Sequence, residues 1–461
     1  MTELSLAPLP PLVAERLGAL RQRPIEPAEK GFGSLRGRVS AASLAATRPA
    51  LPGAGLGYPL LTVRESALAN NLAAMAGWCA RAGVALAPHG KTAMSPELAA
   101  RQLAHGAWGI TVASIGQLQT YRAFGFPRLL LANELADAAG IAWLAAELAA
   151  DPGFEAYCYV DSPEGVAILD RELRRHPAGR PLPVLVEIGH TGGRTGCRTD
   201  GAAAAVARAA QAAGPLTVAG VAGYEGNLAE AQVAAFGRRL RALAGTLGDG
   251  DGPRIVTAGG SAYFDVIARE LTAPGTTPKA PTTPVQVILR SGAYLTHDHG
   301  FYGTVSPAGR GVAGAPVLRP ALELWAQVLS RPEPGLALLG AGRRDVGFDQ
   351  GLPVPLRVVG RDVSTADWQI TELNDQHAYL RLEGGAALGP GEVVGLGISH
   401  PCTTLDKWRV LVVLNDEDVV IDIVHCFFSP RDFPGVSRPL SPRSVRSNFF
   451  SERAVVQAAG R

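Results

Sequence analysis

A chain of 461 residues is longer than a single hydrophobic core usually serves, so two or three domains are expected. Its composition, 47% hydrophobic and 18% charged with a formal charge of +2, excludes a disordered polyelectrolyte and offers no basic stripe for nucleic acid. Apolar runs too short for a bilayer, the lack of a secretory pattern in residues 1–20, and five scattered cysteines without a Cys-x-x-Cys pair lead to three expectations: no membrane span, a cytoplasmic location, and no disulfide framework or zinc ribbon.

In chain order, residues 1–57 carry seven prolines and are expected to form an extension lying on the folded domains, with helix only around residues 12–21. From Tyr58, short apolar runs alternate with helical periods, and the strand candidates are 58–63, 84–87, 109–113, 129–132, 154–160, 183–188, 216–222, 254–257 and 285–289. Between them lie alanine-rich helices such as 66–82 and 201–213, and Ser95-Pro96 supplies an N-cap and first-turn proline for another. No Gly-x-Gly-x-x-Gly follows the first strand, so the alternation favours an α/β fold of the (β/α)₈ TIM-barrel kind over 58–305 rather than a Rossmann sheet. Beyond about residue 305 the pattern turns β-rich, with runs at 323–329, 356–359, 393–398, 410–414 and 419–424, which predicts an all-β domain over 306–461.

The chemistry-bearing residues fall where a barrel places its active site, after the strands. Only four lysines stand against thirty-nine arginines, and Lys91 lies in Pro88-His89-Gly90-Lys91-Thr92, directly after a strand candidate. Arginine keeps its proton, whereas a desolvated lysine beside other cations becomes a free amine able to attack a carbonyl. Gly259-Gly260-Ser261 follows a late strand and could hold a phosphate on backbone N–H groups, or simply make a tight turn. An early nucleophilic lysine paired with a late phosphate cup is what pyridoxal phosphate requires.

Arg194, in a glycine-rich loop after the sixth candidate, could contact a cofactor oxygen or serve as a surface charge, and Tyr224 follows the seventh candidate. Ser399-His400-Pro401-Cys402 places an imidazole and a thiol two residues apart, a nitrogen and sulfur pair suited to zinc, although a turn with an inert cysteine has the same spacing. His377 could add a base near that metal or be structural. In Thr296-His297-Asp298-His299, an extended segment would put His297 and His299 on one face, away from Asp298.

Tyr58-Pro59, Pro88-His89-Gly90-Lys91-Thr92, Gly106-Ala107-Trp108-Gly109, Leu130-Leu131-Ala132-Asn133, Gly192-Gly193-Arg194-Thr195-Gly196, Gly259-Gly260-Ser261, Arg290-Ser291-Gly292-Ala293-Tyr294 and His400-Pro401-Cys402 occur in this order. The order resembles that of the D-serine dehydratase and D-threonine aldolase-like family, fold-type III pyridoxal phosphate enzymes related to alanine racemase, over roughly residues 58 to 430. The N-terminal Pro27-Ala28-Glu29-Lys30-Gly31 is similar to the bacterial branch called amino acid deaminase.

The resemblance implies an alanine racemase-like barrel, a C-terminal β-domain and a homodimer. It also implies pyridoxal 5'-phosphate carried by Lys91, with His89, Arg194, Tyr224, Gly259, Gly260, Ser261 and Tyr294 in the cofactor set. His400 and Cys402 match the family's metal pair, and in the family cysteine at the second position goes with zinc dehydratases, aspartate with aldolases using other divalent ions. The implied reaction is dehydration of a β-hydroxy-D-amino acid, D-serine first, to a 2-oxo acid and ammonia. The rivals are a metal-dependent D-threonine aldolase, in which His377 would act as base, a racemase, and a non-catalytic pyridoxal phosphate carrier. Gly226-Asn227 departs from the Gly-His that many relatives carry there.

Overall fold

The expected alternation becomes eight parallel strands: β1 (Ala85–Leu86), β2 (Ile110–Val112), β3 (Arg128–Glu134), β4 (Glu155–Val160), β5 (Leu182–Ile188), β6 (Leu216–Gly223), β7 (Arg254–Ala258) and β8 (Val285–Leu289). This computed structural model describes residues 6–35, 37–53, 55–247, 254–273, 285–382 and 387–429; Lys279 and residues 430–461 of the expected β-domain lie outside the described residues. The strands pair in the order β1-β8-β7-β6-β5-β4-β3-β2. β1 and β2 then meet through a parallel bridge between His89 and Thr111 and bonds from Trp108 N to Leu86 O (2.7 Å) and Thr111 N to Pro88 O (3.0 Å), which closes the barrel.

The intervening helices start where the sequence supplies caps. Ser95, Ser114, Asp137, Ser162 and Thr199 each accept from a first-turn N–H, and the helix Glu65–Ala82 stops at Gly83, whose φ of +66° suits a residue without Cβ. Ala87, Leu130, Tyr159, Leu185, Ala222, Ile255 and Ile288 fill the barrel interior.

The run at 58–63 was expected to open the barrel and does not. Its strand, Leu60–Arg64, lies in the second sheet between Leu322–Glu333, antiparallel, and Val410–Leu414, parallel. It reads like a barrel strand because it too is covered on both faces, all of Leu60 to Val63 being buried. The chain therefore leaves the β-domain at Arg64, and the barrel begins with the helix that follows.

In the second sheet, the bent Leu322–Glu333 strand pairs with Val393–Gly397 along its first half and with Leu336–Leu339 along its second. The hairpin Gln369–Leu373 with Ala378–Arg381 extends it. These last two strands and Leu336–Leu339 were not anticipated.

Among residues 6–57, helix Pro11–Arg21 matches expectation, and a second helix, Ala41–Thr47, adds to it. Its signal was the Ser40/Ser43 pair, whose side chains form a capping box. Val13 and Phe32 are fully buried, and Lys30 reaches Asp345 of the β-domain at 2.9 Å. All five cysteines are free thiols, and no described helix is long and apolar enough to cross a membrane.

Candidate active site

Side chains alternate along a strand, so the interior core fixes which residues emerge at the C-terminal mouth of the barrel. Two residues above Ala87 stands His89; above Tyr159, Asp161; above Leu185, Glu187; above Ala222, Tyr224; and above Ile288, Arg290. The column through Leu130 and Ala132 ends at Glu134, and that through Ile255 and Thr257 at Gly259.

Lys91 follows His89 in a single 3₁₀ turn, Gly90–Thr92, pinned by the Tyr121 hydroxyl donating to Gly90 O at 2.9 Å. A Cβ at Gly90 would fall 2.5 Å from that hydroxyl, so the turn requires glycine. Burial lowers Lys91 below the usual lysine value, opposed by Cys402 and assisted by Arg194 and Arg290. His89 is driven well below the ordinary histidine range by burial and then by Lys91, Arg290 and Arg194, so its ring is neutral, and its Nδ1 has no partner among the described residues.

Arg290, which the sequence motif contains without declaring a role for it, lies at the mouth above Ile288. It is buried, donates to Thr257 Oγ1 (2.8 Å) and Gly223 O (2.6 Å), and leaves Nε without a partner among the described residues. Its parity with Ile288 was the signal that could have found it.

Across the mouth, the exposed Arg194 lies over the Tyr224 ring at 4.6 Å, both lining a 210 Å³ pocket with Glu187, His190 and Asn227. Asn227 sits at φ +67°, a left-handed position that asparagine tolerates. The Gly259 and Gly260 N–H groups both donate to the carboxylate of Glu225, a buried residue that sequence reasoning passed over. Gly259 has φ +92°, and a Cβ on it would meet Leu289 at 2.7 Å. Ser261 follows in the turn leading into helix Phe264–Thr272.

The β-domain delivers the second half of the site. Helix Pro401–Leu405 packs on the Gly90–Thr92 turn and brings Cys402 Sγ to 3.3 Å from Thr92 Oγ1. His400 hydrogen-bonds through Nδ1 to Asp349 at 2.7 Å, and Asp349 also accepts from the Thr403 hydroxyl. The adjoining Cys402 sulfur, and then Asp349, raise His400 to about 9. Asp349 lies 51 residues from His400, so no local pattern announced it. With Nδ1 taken by a carboxylate, Nε2 is the nitrogen left for a ligand, the usual arrangement around a metal-binding histidine.

Three expectations land elsewhere. Tyr294 is buried among core side chains, its hydroxyl accepting from Gln102 at 3.1 Å rather than facing the mouth. His377 is exposed on the turn between Gln369–Leu373 and Ala378–Arg381, without a described contact to Lys91 or His400. The 296–299 segment is not extended: His297 has φ +46°, and Asp298 caps the N–H groups of Gly300, Tyr302 and Gly303. Strand alternation therefore does not place His297 and His299 on one face.

The chain matches the family described as "Alanine racemase, N-terminal domain" over residues 63–273 and that described as "Putative serine dehydratase domain" over 321–414. It is 30% identical over 390 residues to a D-threonine aldolase of an Arthrobacter species, covering 81% of this chain and 94% of that one. Among solved structures, the D-threonine aldolase of Filomicrobium marinum superposes with a TM-score of 0.67 at 25% identity, over 82% of this chain and 97% of that one. The D-threo-3-hydroxyaspartate dehydratase of Delftia sp. HT23 superposes with a TM-score of 0.62 at 21% identity, over 81% and 98%, and shares the fold.

Proposed function

The chain belongs to the D-serine dehydratase and D-threonine aldolase-like family of fold-type III pyridoxal phosphate enzymes, and on that premise we propose that it is a zinc-assisted ammonia-lyase converting a small β-hydroxy-D-amino acid, D-serine first, to the 2-oxo acid and ammonia. The observation that carries this reading is the junction of two domains at one point: the Lys91 turn and the His400/Cys402 pair meet through Thr92 and Cys402.

The residues fit the cofactor. Two successive glycine N–H groups already hold the Glu225 carboxylate, as they could hold a phosphate, and His89 and Arg290 have buried nitrogens at the mouth without partners among the described residues. Bound pyridoxal phosphate supplies the electron sink that lets a Cα proton leave. Lys91, held below the ordinary lysine value, is the base that removes that proton. Arg194, stacked on Tyr224 and in no described ion pair, orients a carboxylate or cofactor oxygen. Zinc on His400 and Cys402 would act as a Lewis acid toward the substrate hydroxyl, and Asp349 fixes the His400 ring for it. The exposed Tyr224 and Phe348 near this mouth support a homodimer in which a second copy covers it.

The aldolase reading retains independent support from the 30% identical relative. Aldol cleavage needs a base for the β-hydroxyl proton, and the exposed position of His377 favours elimination. The deciding experiment incubates the holoenzyme with D-serine and with D-threonine, with and without chelator, and assays 2-oxo acid, ammonia and glycine. Chelator-sensitive 2-oxo acid and ammonia support the dehydratase, whereas glycine with an aldehyde identifies the aldolase.

Glu225 gives a further expectation. A phosphate must displace its carboxylate from Gly259 and Gly260 and then remain beside it. Glu225→Gln removes that like charge while preserving shape, so the apoenzyme should bind pyridoxal phosphate about tenfold more tightly, equivalent to roughly 1.4 kcal/mol. Fluorescence titration checks this, and a weaker affinity in the variant would show that Glu225 builds the cup rather than competing for it.

A further inference from the structure

The parity that builds the barrel mouth also gathers three carboxylates outside the proposed reaction. Glu134 of β3 is level with Tyr159 of β4 in the parallel ladder, and Val160 is level with Val186 of β5, which places Asp161 and Glu187 side by side above the interior layer. One oxygen from each of Glu134, Asp161 and Glu187 lies within 4.8 Å of the others. That spacing suits a shared ion with oxygen contacts of about 2.3–2.6 Å.

A second observation points into the same place. Tyr159 is 2% exposed, faces the interior two residues below Asp161 and level with Glu134, and its hydroxyl has no hydrogen-bond partner among the described residues. Glu134 and Glu187 lie carboxyl to carboxyl, and neither Glu134 oxygen nor Glu187 Oε2 meets an N–H or hydroxyl donor among the described residues. No described salt bridge joins any of the three carboxylates to an arginine or lysine. Asp161 makes one bond, accepting from Gly196 N at 3.0 Å, which ties the Arg194 loop to the cluster. Glu187 lines the 210 Å³ pocket, which gives an approach from solvent.

We infer that Glu134, Asp161 and Glu187, with the neighbouring Tyr159 hydroxyl, form a binding site for a hard divalent cation, separate from the His400/Cys402 pair. The donor set is entirely oxygen, which selects calcium, magnesium or manganese over zinc. Burial, followed by the neighbouring Glu187, drives Glu134 up to about 8, the response of a crowded carboxylate that a bound cation would reverse. The inference stands independently of the substrate assignment, since it concerns cation binding alone.

The test is calcium chloride titration of the holoenzyme by calorimetry, checked by equilibrium dialysis. One calcium per chain is expected, with affinity lowered at least about tenfold in Glu187→Gln and Asp161→Asn and unchanged in Cys402→Ala. Circular dichroism confirms the fold of each variant, and Tyr159→Phe, which keeps the packed ring, supplies a milder variant expected to weaken binding should the carboxylate changes unfold the barrel. Absence of calcium binding to the wild type, or binding unaltered in all three site variants, overturns the inference and leaves the trio sharing a proton.

Discussion

Lys91→Ala should lose both the visible absorbance of lysine-bound pyridoxal phosphate and at least about a thousandfold of the activity, because the proposed function gives a single side chain the roles of cofactor anchor and base. The turn that carries Lys91 is fixed independently of its side chain, by the Tyr121 bond to Gly90 O and by the bond from Met94 N to the same carbonyl, so the alanine variant should fold and keep its melting temperature. Lys91→Arg retains a cation but cannot release its proton, and should fail equally, which separates chemistry from charge. Because burial holds Lys91 below the usual lysine value, the free amine persists to lower pH than in an exposed lysine, and cofactor capture by the apoenzyme should continue there. The measurement is an absorbance titration with cofactor followed by a 2-oxo acid assay. Wild-type turnover by Lys91→Ala would remove Lys91 from the mechanism.

The legible parts of this site share one property: each was local in sequence. Pro88-His89-Gly90-Lys91-Thr92, Gly259-Gly260 and His400-Pro401-Cys402 are short runs whose residue types declare their chemistry, and the structure brings the first and third together at the domain junction. The (β/α)₈ barrel with a β-domain was likewise carried by period and caps.

What escaped notice depends on distance. Asp349 reaches His400 only because two separate loops of the β-domain meet. Glu225 is defined by the N–H groups it occupies in the turn after another strand. Leu60–Arg64 imitates a barrel strand because burial on both faces writes the same apolar run in either sheet. Tyr294 carries a motif but faces the core, where Gln102 satisfies its hydroxyl, a direction that the motif itself does not encode.

The metal pair should rival the lysine in effect. On the proposed function, Cys402→Ala would remove one of the two metal ligands that one short segment contributes, and a Lewis acid contributes several kcal/mol at a departing hydroxyl, so kcat for elimination should fall about 10²- to 10⁴-fold while the cofactor absorbance remains. The spectrum is the discriminating readout, since a collapsed fold would lose both signals.

Asp349→Asn should act more mildly and in a different way. It leaves the ligand in place but weakens the hold on His400 Nδ1, so metal affinity should drop about 10- to 100-fold and activity should return with added zinc. Metal content by atomic absorption, measured alongside kcat and the zinc concentration for half-activation, separates the two variants. If Cys402→Ala eliminated at the wild-type rate and the wild type ignored chelators, the leaving hydroxyl would have to be assisted by a proton donor at the same junction. Tyr302, whose phenol burial pushes well above the ordinary tyrosine value and whose ring lies 6.3 Å from that of His400, would then be the group to replace.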